Sequence, residues 1–258
     1  MIQNLSKAKI SLIKSLSIKK YRSEHNLFIV EGHKIISELL KSTFKIKFLI
    51  HTEKYNINLE STNIEIIKVD ESEIKKISNL KTPPSVIAIV EIPKKKLNIL
   101  SLKEKLTLAI DDIQDPGNLG TIIRICDWFG LENIICSLNS TDVFNPKVIQ
   151  ATMGAFLRVN VSYKDLKTFI PEYKKVTANK CYGTFLEGEN IYKTNLTTNG
   201  LIILGNEGQG ISKEIEETID SKIFIPPYSI DKEHSESLNI SIAAAIICSE
   251  FRRNTKQD

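Results

Sequence analysis

The sequence predicts an α/β protein built as two successive domains, a small α/β domain and a larger one with a parallel sheet. Three observations carry that prediction. Short apolar runs alternate with helical patterns along most of the chain, the order that layered α/β domains require. Several runs, such as LTLAI and LIILG, are almost continuously apolar, as strands covered on both faces of a parallel sheet are. The lysine-rich stretch EIPKKKLNILSLKEK (91–105) has a proline and only a weak apolar pattern, the composition of a linker. Residues 1–92 are therefore expected to form the first domain, 93–105 the linker and 106–258 the second domain.

Element by element, Leu5, Ile10, Leu12, Ile13 and Leu16 fall near helical spacing, with Asn4 as the expected cap. LFIVEG (27–32) reads as a strand ending at Gly32, HKIISELLKS as a helix and IKFLI as a strand. IEIIKV is a third strand, and Asp70 starts a helix as its N-cap. The turn Thr82-Pro83-Pro84 precedes SVIAIVEI, a continuous apolar strand. The linker carries one short helical turn. LTLAIDDI (106–113) opens the second domain as a strand ending in carboxylates, and a helix follows over about 118–129. ENIICS is a strand; NPKVIQATMGAF is a helix with Pro146 in its first turn. LIILG (201–205) and KIFIP are buried strands, and SLNISIAAAIICSEFRR (237–253) is a long apolar helix capped by Ser235 or Ser237.

Composition narrows the function classes. The chain has 258 residues and a net charge of +4, mildly basic, which favours a polyanionic partner only weakly. Lys7, Lys9, Lys14, Lys19, Lys20 and Arg22 crowd the first 22 residues, and Lys94, Lys95 and Lys96 form a second run. No apolar run reaches the length of a membrane span, and the opening MIQNLSKAKISLIK lacks a secretory apolar core, so a cytoplasmic protein is expected. Cys126, Cys136, Cys181 and Cys248 have no CxxC spacing; they are expected to be reduced and mostly buried, with no metal site.

Three segments follow the ends of buried strands, where open α/β sheets bind ligands. The first, DDIQDPGNLGTIIRICDWFG (111–130), places Asn118, Gly120 and Arg124 near a helix start. The second, LIILGNEGQGIS (201–212), has Gly205, Gly208 and Gly210, which let backbone approach a ligand closely, and one charge, Glu207. The third, IPPYSIDKEHSESLNISIAAAII (225–247), carries Ser237 and Asn239 at the helix start, with Ala243, Ala244 and Ala245 for close packing. Neither GxGxxG nor GxxxxGK[ST] occurs, so a Rossmann nucleotide site and a P-loop are not supported.

Taken together, the segments resemble the three motifs of the SpoU (TrmH-like) RNA methyltransferases of the SPOUT superfamily: Asn118, Gly120 and Arg124 as motif 1, GNEGQG (205–210) as motif 2, SLNISIAAAI (237–246) as motif 3. FIVEGHK (28–34) and PPSVIAIV (83–90) resemble the small substrate-binding domain that precedes the catalytic domain in many members. The resemblance implies a parallel-sheet catalytic domain with a deep trefoil knot and a homodimer. It implies S-adenosylmethionine as cofactor and RNA as partner, ribosomal RNA ahead of transfer RNA. The product implied is a 2′-O-methylated ribose; a non-catalytic RNA-binding protein of the same fold is the rival from another class. One departure stands out: PPYSIDKEHSE (226–236) is longer than the family's usual stretch and lacks glycine.

By the same resemblance, Arg124, Asn118, Glu207, Ser237 and Asn239 are the catalytic set, and Leu204, Gly205, Asn206, Gly208, Ile225, Pro226 and Leu238 hold the cofactor. A ribose hydroxyl is barely ionised at neutral pH and must be oriented and deprotonated. Two roles fit Arg124: lowering the hydroxyl's pKa electrostatically, or anchoring the adjacent phosphate while another group takes the proton. Asn118 is expected to orient Arg124 or the ribose, Glu207 to hold the motif 1 and 3 loops together, and Ser237 and Asn239 to steady the substrate phosphate or the cofactor site. His25, His33, His51 and His234 form no cluster and receive no role.

Overall fold

A computed structural model of the chain describes residues 2, 4–55, 64–228 and 236–253. Its elements run α1 (Lys7–Ser15), α2 (Lys19–His25), β1 (Leu27–Glu31), α3 (His33–Leu39), β2 (Ile46–His51), β3 (Glu65–Lys68), α4 (Glu71–Ile77) and β4 (Val86–Glu91). They continue with β5 (Leu106–Ile110), α5 (Pro116–Trp128), β6 (Asn133–Ser137), α6 (Pro146–Thr152), β7 (Asn160–Lys164), α7 (Leu166–Thr177) and β8 (Cys181–Asn190). The last are β9 (Gly200–Leu204), α8 (Lys213–Glu216), β10 (Ser221–Phe224) and α9 (Ile240–Arg253). The chain divides into two compact units, Met1–Lys95 with Asp142–Leu157, and Lys96–Thr141 with Arg158–Asp258.

The first unit is built on a four-stranded sheet of order β1-β4-β2-β3, antiparallel except for the β2–β3 pair. Alternate residues supply its two faces. Ile29, Phe48, Ile50, Ile87 and Ile89 pack against Leu5, Ile13, Leu16, Ile74 and Ile77 around α1 and α4. Phe28, Val30, Leu49, Ala88 and Val90 face α3 and the 142–157 segment through Ile36, Leu39, Ile149 and Phe156. Covering both faces is why LFIV and VIAIV are apolar throughout. Two details differ from expectation. Ser6 caps α1 by accepting from Lys9 N at 3.2 Å, in place of Asn4. Arg22, counted with the basic cluster, is buried: Nε and Nη2 donate to Asp142 Oδ2 at 2.8 and 2.5 Å and Nη1 donates to the Leu16 carbonyl. It is a structural arginine, withdrawn from any surface partner. Lys9 is also engaged, paired with Glu65.

The second unit is a six-stranded sheet of order β10-β8-β9-β5-β6-β7, parallel at every pairing. Ala109, Ile135, Leu201 and Ile203 pack on one face against Leu166, Phe169, Ile170 and Tyr173 of α7. On the other, Tyr182 of β8 meets Phe251 of α9 edge to face at 5.1 Å. In α5, Leu119, Ile122, Ile123 and Cys126 form the buried stripe, at i, i+3, i+4, i+7. The 158–200 stretch, for which sequence reading offered no element, contributes β7, α7 and β8; Pro171 inside α7 interrupts the helical signature. The strand expected over 106–113 ends at Ile110, and α5 starts at Pro116 instead of about 118. All four cysteines are free and buried. Among the described residues no helix is long and apolar enough to cross a membrane, and no group of His, Cys, Asp or Glu is placed to hold a metal ion.

Candidate active site

β5 and β9 lie side by side in parallel, Ile110 opposite Leu204, so their carboxyl ends open at one place. Asp111 N donates to the Leu204 carbonyl at 2.9 Å, extending the ladder by one step. The buried Asp111 carboxylate then accepts from Ser212 N at 3.0 Å. That bond clips the far end of the glycine loop to β5. Asp112 takes a left-handed backbone, φ 58°, and its carbonyl accepts from Asn206 Nδ2 at 2.8 Å.

The loop between β9 and α8 is closed on itself. Asn206 and Gly210 exchange both backbone hydrogen bonds at 2.9 Å. Asn206 Oδ1 accepts from Gly208 N and Gln209 N at 2.8 and 3.2 Å. Gly210 has φ +69°, and a Cβ on Gly205 would stand 2.2 Å from the Gly210 carbonyl carbon. Gly205 is therefore glycine because the loop's own backbone occupies the space. Sequence reading gave that space to a ligand. Asn206 holds the loop's shape with every polar atom of its side chain.

Asp115 caps α5, accepting from Asn118 N at 2.7 Å, with Pro116 in the first turn. The cap sets Asn118 at the helix mouth. Its Nδ2 donates to Glu207 Oε1 at 2.9 Å, and its Oδ1 accepts from Asn239 Nδ2 at 3.0 Å. Asn239 Oδ1 in turn accepts from Ser241 N and Oγ at 2.9 and 2.6 Å. Three segments remote in sequence are thus joined in one chain of amides ending on a carboxylate. Asn239 precedes α9 and caps it, where a serine was expected to. With α9 starting at Ile240, Ser237 lies before the helix and not in its first turn. Ser235 and His234 fall outside the described residues, as does most of the 226–236 stretch.

The structure does not bring every candidate into that chain. Arg124 is exposed on α5 and makes no ion pair or hydrogen bond with its side chain among the described residues. It stands about 9 Å along the helix from Asn118. Ser237 is exposed and likewise unbonded. Leu204 is buried, Ile225 and Pro226 are half-buried, Gly208 is exposed and Leu238 is 49% exposed. Asp111 and Asp115 were missed as site residues. The signal for Asp115 was legible, since Asp-Pro is an N-cap followed by the favoured first helical residue. Asp111 gave no signal, because its partner Ser212 is 101 residues away.

The chain is similar to known proteins along nearly its whole length. The SpoU rRNA Methylase family pattern matches residues 105–249, and an MRM3-like substrate binding domain matches residues 7–88. A 23S rRNA (guanosine(2553)-2′-O)-methyltransferase of Bacillus subtilis is 30% identical over 253 residues, covering 97% of this chain and 98% of that protein. The structure of a putative RNA methyltransferase of the TrmH family from Porphyromonas gingivalis superposes with a TM-score of 0.90 at 35% identity, covering 98% of this chain and 100% of that one. An AdoMet-bound rRNA methyltransferase from Sinorhizobium meliloti does so with a TM-score of 0.84 at 26% identity, over 99% and 98% of the two chains.

Proposed function

The chain belongs to the SpoU rRNA methylase family, and on that premise we propose that it transfers a methyl group from S-adenosylmethionine to a ribose 2′-hydroxyl of ribosomal RNA. The observation that carries the reading is the Glu207–Asn118–Asn239 chain, which holds the three motif segments at the mouth of β5 and β9.

The residues fit the cofactor. The β9 loop offers a rigid backbone surface clipped at Asn206 and Asp111. Half-buried Ile225 and Pro226 and exposed Leu238 offer apolar surface for an adenosyl group. Leu204, Gly205, Asn206, Gly208, Ile225, Pro226 and Leu238 would hold it. When bound, the cofactor supplies a methyl group already activated on a sulfonium.

The work left to the chain is to orient the hydroxyl and remove its proton. Asn118 bonds Glu207 through its Nδ2 and Asn239 through its Oδ1, so its role is to fix both. Glu207 Oε2 has no partner among the described residues and can accept from a ribose hydroxyl. Arg124, unpaired, is free to meet RNA, where a guanidinium lowers a neighbouring hydroxyl's pKa or forks onto a phosphate. In this reading the exposed Ser237 donates to the same phosphate. The first unit, residues 1–95 with 142–157, supplies RNA affinity and the second unit the chemistry, with the family's trefoil knot in the catalytic part.

A homodimer and a cytoplasmic location complete the proposal. Trp128 on α5 is 85% exposed and Ile242 on α9 is 52% exposed. The two helices run parallel, joined at their starts by Asn118–Asn239 and at their ends by Arg252 and the Phe129 carbonyl. A second copy would cover this apolar surface.

The test is methyl transfer from isotopically labelled S-adenosylmethionine to unmodified ribosomal RNA, with a chelator present. Label in the RNA supports the reading. Cofactor binding without transfer to any RNA would leave the non-catalytic alternative.

A further inference from the structure

The first unit holds a cavity of about 340 Å³, at the small end of the roughly 300–1,000 Å³ typical of ligand sites. Its walls are apolar: Ile29 of β1, Leu80 after α4, and Pro146 and Ile149 of α6. Its polar groups are few. Glu31, the acid of the FIVEGHK stretch that the proposed chemistry leaves unused, is 4% exposed. Ser78 Oγ donates to its Oε2 at 2.6 Å, and Asn79 N and Nδ2 donate to its Oε1 at 2.9 and 3.0 Å. A carboxylate has about four acceptor positions, so one remains on Oε2. Asn79 Oδ1 and the Gln150 amide, both at the cavity, make no hydrogen bond among the described residues. Lys147, exposed, makes no ion pair among them.

An apolar slot with unspent amides, a residual carboxylate acceptor and an ammonium group suits one kind of ligand. A nucleobase has two apolar faces and an edge of mixed donors and acceptors, and its phosphate is an anion for lysine. Proteins read RNA sequence in this way, on unstacked bases, and residues 7–88 of the unit, which supply the Ile29, Glu31, Asn79 and Leu80 side of the cavity, match a substrate-binding domain. We infer that this cavity takes one unpaired nucleotide of the RNA on which the protein acts. The base lies against Leu80, Pro146 and Ile149, its edge meets Gln150, Asn79 and Glu31, and Lys147 meets the phosphate. The inference rests on RNA being the substrate but not on any catalytic residue.

The experiment uses the full chain with Ala151→Phe, which fills the cavity from α6, and Lys147→Ala at the exposed position. The probes are AMP, GMP, CMP and UMP added singly, followed by calorimetry, and ribosomal RNA followed by fluorescence anisotropy. S-adenosylmethionine affinity and thermal melting serve as folding controls. At least one monophosphate should bind the wild type, and Ala151→Phe should abolish that binding. Both variants should weaken RNA binding about tenfold, the order expected for one stacked base or phosphate contact, and Lys147→Arg should restore it. Failure of all four monophosphates to bind overturns the inference. So does RNA affinity that is unchanged in both variants, which would mark a site for free nucleotides if the wild type binds one. These readouts need no methyl transfer: an inactive protein that still shows them loses the proposed chemistry and keeps the pocket.

Discussion

Asn118 and Arg124 sit on the same helix, six residues apart, and their surroundings assign them different work. Asn118 has both amide atoms bonded, to Glu207 and Asn239; the Arg124 guanidinium has no partner among the described residues. An interaction made only as charge develops on the 2′-oxygen lowers the rate constant and leaves ground-state binding alone. Arg124→Ala should therefore cut the single-turnover methylation rate about a hundredfold, within the range for proton-transfer assistance. S-adenosylmethionine affinity should stay close to wild type. Lysine should rescue poorly, because a point charge does not reproduce the planar fork. Asn118→Ala should show the other pattern. It unties the loop from the α9 start, so cofactor affinity and rate should fall together. Equal effects of the two variants on calorimetric cofactor binding would contradict the assignment. The resemblance pointed to Asn118, Glu207 and Asn239, which the structure joins, but not to Asp111 or Asp115. The bonds joining the first three were not legible: they span 89 and 121 positions, and spacing says nothing about such contacts.

At the scale of elements, β5 was legible because both its faces are covered, leaving an unbroken apolar run except for Thr107. That residue is fully buried, and its Oγ1 has no hydrogen-bond partner among the described residues. A buried hydroxyl without a partner costs about 1–3 kcal/mol, and an apolar group of the same shape removes the cost. Thr107→Val should raise the unfolding free energy by about 1 kcal/mol, read from the urea midpoint at unchanged slope. A loss of stability would mean the hydroxyl is bonded in solution. Helix ends were less legible than helix middles. Asn4 and Ser6 are both good caps, and only the backbone decides that Ser6 accepts from Lys9. Likewise Asn239 displaced the serines at α9 by bonding Ser241 N. α7 and β8 escaped notice because a proline sits inside the first and the outer half of the second is exposed.

For the whole molecule, the order of α/β units was readable from alternation. The recruitment of Asp142–Leu157 into the first unit was not. It depends on Phe144 and Phe156 meeting Phe28 at ring distances of 4.6 and 6.0 Å, contacts more than a hundred residues apart in sequence. The buried thiols give the molecule a pH signature. Burial pushes Cys136, Cys181 and Cys248 up to about 12, from an ordinary 9.0. An acid whose folded pKa is raised stabilises fully below its unfolded value and loses that contribution as pH climbs toward the folded one. Stability should thus decline from about pH 9 upward, and Cys136→Ala should flatten the decline. An identical slope in the variant would show that this thiol titrates normally.

The central claim is that the three joined motif segments form a site for ribose methylation. It is tested most directly by digesting RNA methylated in vitro to nucleosides and identifying the labelled product by mass spectrometry. The label should lie in a 2′-O-methylnucleoside and be lost with Arg124→Ala. A methyl group on a base, or undiminished ribose methylation in that variant, would contradict it.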